Sequence, residues 1–132
     1  MNSFYRRPEV EQRMRLQSTQ VTIRTETLDG FLAREKVAQI DFLKIDTEGS
    51  EFDVLRGANA ALAAGRIKLI QFEYGGTYRD AKITLEQVHA FFAQHGYSLF
   101  CIAAGGLVPT PVWDTALENY RYSNYLLSLI HI

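Results

Sequence analysis

The spacing of apolar residues changes along this chain, and each change marks an element. Val21-Thr22-Ile23-Arg24-Thr25 alternates apolar and polar positions and is rich in β-branched side chains, which predicts a short strand. Thr27 then stands as the N-cap of a helix with Leu28, Phe31 and Leu32 on one face and Asp29 near its positive end. That helix should stop near Val37. Residues 40–46 are almost continuously apolar, the pattern of a strand buried on both faces in a parallel sheet. Ser50 suits the cap of a second helix, with Glu51 and Asp53 in its first turn. Phe52, Leu55, Ala58 and Leu62 recur at helical spacing, and Gly65 falls just past the end. Residues 67–73 read as the next strand, so strand, helix and strand form a βαβ unit with a right-handed crossover expected.

The second half continues in the same way. Gly75-Gly76 reads as a loop. Thr84 and Gln87 make a capping box for a third helix, with Leu85, Val88, Phe92 and His95 on one face and Gly96 after its end. Residues 97–103 read as a strand, and Gly105-Gly106, Pro109 and Pro111 as a long turn region. Residues 124–130 read as a final strand, expected to pair antiparallel with 97–103. Residues 1–20 are polar and without clear period, a solvated arm in which Arg6, Arg7, Arg13 and Arg15 outnumber Glu9 and Glu11. The fold class is therefore α/β, with residues 21–132 as its body.

Composition narrows the classes. The 132 residues are 47% hydrophobic and 22% charged, with a net charge of -1, which fits one globular domain and argues against disorder. The slight acidity argues against nucleic acid as a partner. No apolar run approaches the roughly 20 residues a membrane span needs, and the first residues lack the apolar stretch of a secretory signal. Cys101 is the single cysteine, so a reducing, cytoplasmic setting is expected.

The candidate chemistry lies at strand ends, because open α/β sheets bind ligands beyond the carboxyl edges of their strands. Asp46 and Glu73 end two strands expected to be adjacent, so they should meet at that edge. Asp46 runs into Thr47-Glu48-Gly49-Ser50-Glu51, an acidic turn in which Gly49 permits close backbone approach. Such a site would hold a cationic group through Asp46 and Glu48 and an anionic one through helix-start amides. Glu51 reads as a helix-dipole residue. Lys44 is either a strand lysine reaching solvent or a partner for Asp46 or Glu48. Tyr74 and Tyr78 flank the glycine pair, either as ordinary loop packing or as candidate substrate contacts. Glu73-Tyr74-Gly75-Gly76 lacks the glycines and the immediate helix of a nucleotide loop. His89 and His95, six positions apart, do not share a helix face, and no metal site is expected.

Three segments carry a resemblance. They are Thr25-Glu26-Thr27-Leu28-Asp29-Gly30-Phe31-Leu32, then Leu43-Lys44-Ile45-Asp46-Thr47-Glu48-Gly49-Ser50-Glu51, then Val54-Leu55-Arg56-Gly57-Ala58. In order and spacing they resemble the FkbM family of methyltransferases, over roughly residues 20–126. The resemblance implies a Rossmann-like, S-adenosylmethionine-dependent enzyme that methylates an oxygen of a small molecule or sugar. By the same likeness Asp46 and Glu48 match the acidic motif facing cofactor and substrate. Asp46 and Gly49 would then contact the cofactor, and Glu73, Tyr74 and Tyr78 the acceptor.

Nothing before Val21 resembles the family's glycine-rich cofactor loop or the acidic residue for the ribose. The expectation is therefore the C-terminal part of such a domain: a partial Rossmann-like sheet with parallel strands and an antiparallel C-terminal hairpin, its cofactor-loop strands missing. Such a chain would be inactive alone and would expose the edge of strand 40–46, leaving it poorly soluble or dimeric through that edge. Two alternatives stand beside it. One is a non-catalytic α/β module that pairs with another chain, and the other a metal-assisted enzyme using Asp46, Glu48 and Glu73.

Overall fold

The computed structural model describes residues 8–15, 17 and 19–130. Its centre is a five-stranded sheet of β1 (Ile40–Ile45), β2 (Ile67–Tyr74), β3 (Ser98–Ala103), β4 (Gly106–Pro109) and β5 (Ser123–Ser128), in the spatial order β1-β2-β5-β3-β4. β1 and β2 are parallel, in a register from Ile40 opposite Ile67 to Ile45 opposite Phe72. β5 inserts antiparallel between β2 and β3, and β4 closes the far edge antiparallel to β3.

Among the described residues six α-helices accompany the sheet: α1 (Pro8–Met14), α2 (Leu28–Arg34), α3 (Glu51–Arg56), α4 (Asn59–Ala63), α5 (Gly76–Ala81) and α6 (Leu85–Ala93). The core gathers on one face of the sheet. Ile70, Phe72 and Tyr74 of β2 lie opposite Leu127, Tyr125 and Ser123 of β5, and Leu99 of β3 continues the row beside Leu127. Leu55, Leu62, Leu85, Val88 and Phe92 of the helices belong to the same buried cluster. The other face, with Leu69, Gln71 and Glu73, is half-buried. In β2 the period-two alternation thus separates a buried row from a half-buried one.

Several elements match the sequence pattern. Thr27 caps α2 by accepting from Gly30 N, and α2 ends at Arg34, before Val37. Thr84 and Gln87 form the reciprocal capping box of α6. Gly65 and Gly96 hold positive φ just past helix ends, and the last strand pairs antiparallel with β3 as expected.

Other expectations are corrected. Residues 21–25 form no strand: they are exposed and without regular structure, because no described strand of the sheet lies beside them to complete a ladder. β1 is not buried on both faces. Among the described strands it is the sheet edge, only its Ile45 is buried, and Phe42 is 51% exposed. The single helix expected after Ser50 breaks at Gly57 and Ala58 into α3 and α4, and Ser50 makes no side-chain cap bond. The stretch after Gly75 holds α5, with Lys82 in the left-handed region at its C-cap. The expected turn at 105–111 contains β4, in which Leu107 and Val108 pair with Ile102 and Cys101. Within the expected polar arm, Pro8–Met14 is helical; Arg6 and Arg7 lie outside the described residues, as does the end of the apolar tail at 131–132.

Candidate functional site

The parallel register sets the site. Ile45 stands opposite Phe72, so Asp46, just past β1, comes level with Glu73 near the end of β2. Both line a cavity of about 350 Å³ together with Glu48, Glu51, Tyr74 and Tyr122. The expectation that the two strand-end carboxylates meet at one edge is met by this cavity.

Asp46 is tied to its own strand. Lys44 Nζ donates to Asp46 Oδ2 at 2.9 Å, and that bond, with the Asp46 charge behind it, raises the lysine's pKa. Both side chains are about half exposed, so the pair orients Asp46 and adds little stability. Lys44 is therefore a solvent-reaching lysine that partners Asp46, which joins two readings the pattern left open.

The turn after Asp46 has an unusual backbone. Glu48 has φ 54° and Gly49 φ 110°, two successive residues in the left-handed region. The Gly49 amide donates to Glu51 Oε2 at 3.0 Å. Glu51 Oε1 accepts from Thr47 N at 2.8 Å and Thr47 Oγ1 at 3.1 Å. Glu51 is 1% exposed and gathers the turn inward, a role beyond that of a helix-dipole residue.

Glu73 accepts a hydrogen bond from the Tyr122 hydroxyl. That bond, followed by burial and the neighbouring charges of Glu73 and Asp46, raises the Tyr122 pKa. Tyr122 packs across Gly75 and is 70% exposed, so its ring forms part of the cavity rim. Sequence reasoning missed this residue. The signal was the pairing of β5 with β2, which sets Ser123 opposite Tyr74 and Asn124 opposite Glu73. That register brings the residue before Ser123 to the Glu73 end of the sheet.

Tyr74 and Tyr78 part company. Tyr74 lines the cavity, but its hydroxyl turns to structure, donating to Glu118 Oε1 at 2.7 Å and accepting from Tyr120 N at 2.9 Å. Burial first, then Glu118, push its pKa well up. Tyr78 is 1% exposed, does not line the cavity, and packs edge-on against Tyr74 at 5.0 Å. Glu118 also accepts from Glu86 N at 3.2 Å at the start of α6. The strap that carries Tyr122 is thus anchored on two elements.

The lining is rich in carboxylates, and its chemistry suits a cationic group flanked by hydroxyls. Among the described residues no group of three or more His, Cys, Asp or Glu side chains is arranged to hold a metal ion, and Asp46, Glu48 and Glu73 form no such group. His89 and His95 point to different partners, Thr110 O and Asn59 Oδ1. Among the described residues no helix is long and apolar enough to cross a membrane.

One comparison with known proteins agrees with the family that the motifs resemble. Residues 3–99 match the family model of the methyltransferase FkbM domain. The match spans β1, β2 and the Asp46–Glu73 edge, and ends within β3, short of Tyr122 and of residues 124–126. No curated protein matches the chain, and no solved structure does. With well over half of its 132 residues inside that match, the chain belongs to the FkbM methyltransferase family.

Proposed function

We propose that the chain is the acidic half of an S-adenosylmethionine-dependent methyltransferase site, acting on a hydroxyl oxygen of a small molecule or sugar in the cytoplasm. The observation that carries this reading is the convergence of Asp46, Glu48 and Glu73 on one cavity at the carboxyl end of a parallel strand pair. The donor set fits the cofactor: S-adenosylmethionine carries a sulfonium and an ammonium, both cations, and this lining offers carboxylates. When bound, it would supply the electrophilic methyl group.

The chain's own residues would do the rest. Asp46 faces the cationic region, held by Lys44, and Gly49 shapes the turn beside it. Glu48 and Asp46 are the carboxylates placed to accept the proton of an acceptor hydroxyl. Glu73 accepts hydrogen bonds from the acceptor, and the Tyr74 and Tyr122 rings wall the cavity. Tyr78 shapes this wall from behind through its contact with Tyr74. Most of the rate gain in such a transfer comes from holding oxygen and methyl carbon in line.

The exposed edge of β1 bears on how the domain is completed. Phe42 is 51% exposed there, and a strand edge without a neighbour among the described residues favours addition of a strand. We read residues 21–132 as the C-terminal part of a Rossmann-like domain whose cofactor-loop strand belongs beside β1. The same edge favours a second reading, a non-catalytic module that pairs with another chain or with its own copy.

Calorimetric titration with S-adenosylmethionine separates the two. Binding that weakens about tenfold in Asp46→Asn, the loss of one charge-assisted contact, supports the enzyme reading. No heat in either protein, with concentration-dependent association of the chain, supports the second.

A further inference from the structure

Glu51 is a charged side chain with 1% exposure beside a cavity that it helps to line. Burying a carboxylate is costly unless its oxygens are met by donors. Here both are: Oε1 takes Thr47 N and Thr47 Oγ1, and Oε2 takes Gly49 N. Between those two anchor points lies Glu48, at φ 54°, followed by Gly49 at φ 110°. A non-glycine residue in the left-handed region persists only where its surroundings hold it there. The two oxygens of Glu51 hold this turn from inside. Its charge is also felt by the buried Tyr78 hydroxyl, whose pKa is pushed well up by burial first and by Glu51 next.

We propose that Glu51 is the positioning residue of this site: its buried carboxylate clamps Thr47 and Gly49, and so sets the direction in which Asp46 and Glu48 face the cavity. The proposal rests on reading the 46–49 turn as part of the methyl-donor site. Glu51 takes no part in the transfer; it acts through the turn. The role demands a carboxylate and not merely a side chain of that size. All three partner groups donate, so both ends of the side chain must accept. Gln at this position keeps one acceptor oxygen and turns an N–H₂ donor toward the other partner. An amide oriented to satisfy Thr47 leaves the Gly49 N–H facing another donor.

The test compares the wild-type chain with Glu51→Gln and Glu51→Ala by amide hydrogen exchange resolved by NMR, with S-adenosylmethionine added as a probe in a second series. In Glu51→Gln, the Gly49 amide is expected to exchange on the order of tenfold faster while the Thr47 amide stays protected and β2 amides are unchanged. In Glu51→Ala both turn amides lose protection. Where the alanine variant fails to fold, the near-isosteric glutamine variant still decides. Weaker probe binding by Glu51→Gln, at unchanged exchange of the β2 amides, is the expected functional consequence. A Glu51 that only fills space predicts wild-type protection of Gly49 in the glutamine variant, and that result overturns the proposal. The exchange series needs no ligand. A wild-type chain that ignores the probe therefore counts against the methyl-donor reading, while the exchange rates of Gly49 and Thr47 still decide for or against the clamp.

Discussion

Tyr74 and Tyr78 are both 1% exposed, yet their hydroxyls end in opposite circumstances. Tyr74 donates to Glu118 and accepts from Tyr120 N, so its burial is compensated. The Tyr78 hydroxyl is buried with no hydrogen-bond partner among the described residues. A buried donor left unmatched costs about 1–3 kcal/mol, while the ring alone packs at no such cost. Tyr78→Phe is therefore expected to raise the unfolding free energy by about 1 kcal/mol in urea denaturation. A loss of that size would show that the hydroxyl has a partner after all. At this scale the sequence revealed residues whose position follows from an element's end. Asp46 and Glu73 close strands, and both were legible. In the sequence Glu51 reads only as a dipole residue, because its partners, Thr47 and Gly49, belong to a turn whose shape no periodicity encodes. Tyr122 stayed hidden because its place depends on a strand pairing between residues some fifty positions apart.

Among elements, Asp29 shows how two short helices stabilise each other. It lies in the first turn of α2, where a carboxylate favours the dipole, but its oxygens accept from Ala60 N at 2.8 Å and Ala61 N at 2.9 Å. The N-cap residue of α4 is Ala58, which makes no side-chain cap bond, so Asp29 serves as a cap brought from α2. Asp29→Ala should lower the unfolding free energy by about 1–2 kcal/mol, and Asp29→Asn by less, since the amide keeps one acceptor. Equal stability of all three proteins would refute the shared cap. The capped helices α2 and α6 were legible because their signals are local. Residues 21–25 misled for the complementary reason: alternation states a preference, and a strand also needs a neighbour. The edge position of β1 was likewise beyond a pattern that scores burial without knowing strand order.

Across the whole molecule, the buried tyrosines give the fold a defined alkaline limit. Burial pushes Tyr97 and Tyr125 up to about 12, and raises Tyr74 and Tyr78 as well. An unfolded tyrosine ionises near pH 10. Below about pH 10 both states keep the proton and stability is unaffected by these groups. Above it the unfolded chain releases protons that the folded chain retains, so stability falls as pH rises from about 10 toward 12. Urea midpoints that stay flat across that window would contradict the burial of these rings. The proposed methyl-donor site lies at the carboxyl end of β1 and β2. Its most direct test is to add S-adenosylmethionine to the isotope-labelled chain and map the amide shifts by NMR. The proposed site predicts the largest shifts at residues 46–49, at 73–76 and at Tyr122, and smaller shifts at the same ligand concentration in Asp46→Asn, whose binding is about tenfold weaker. Shifts centred elsewhere, or the same map in both proteins, would contradict it.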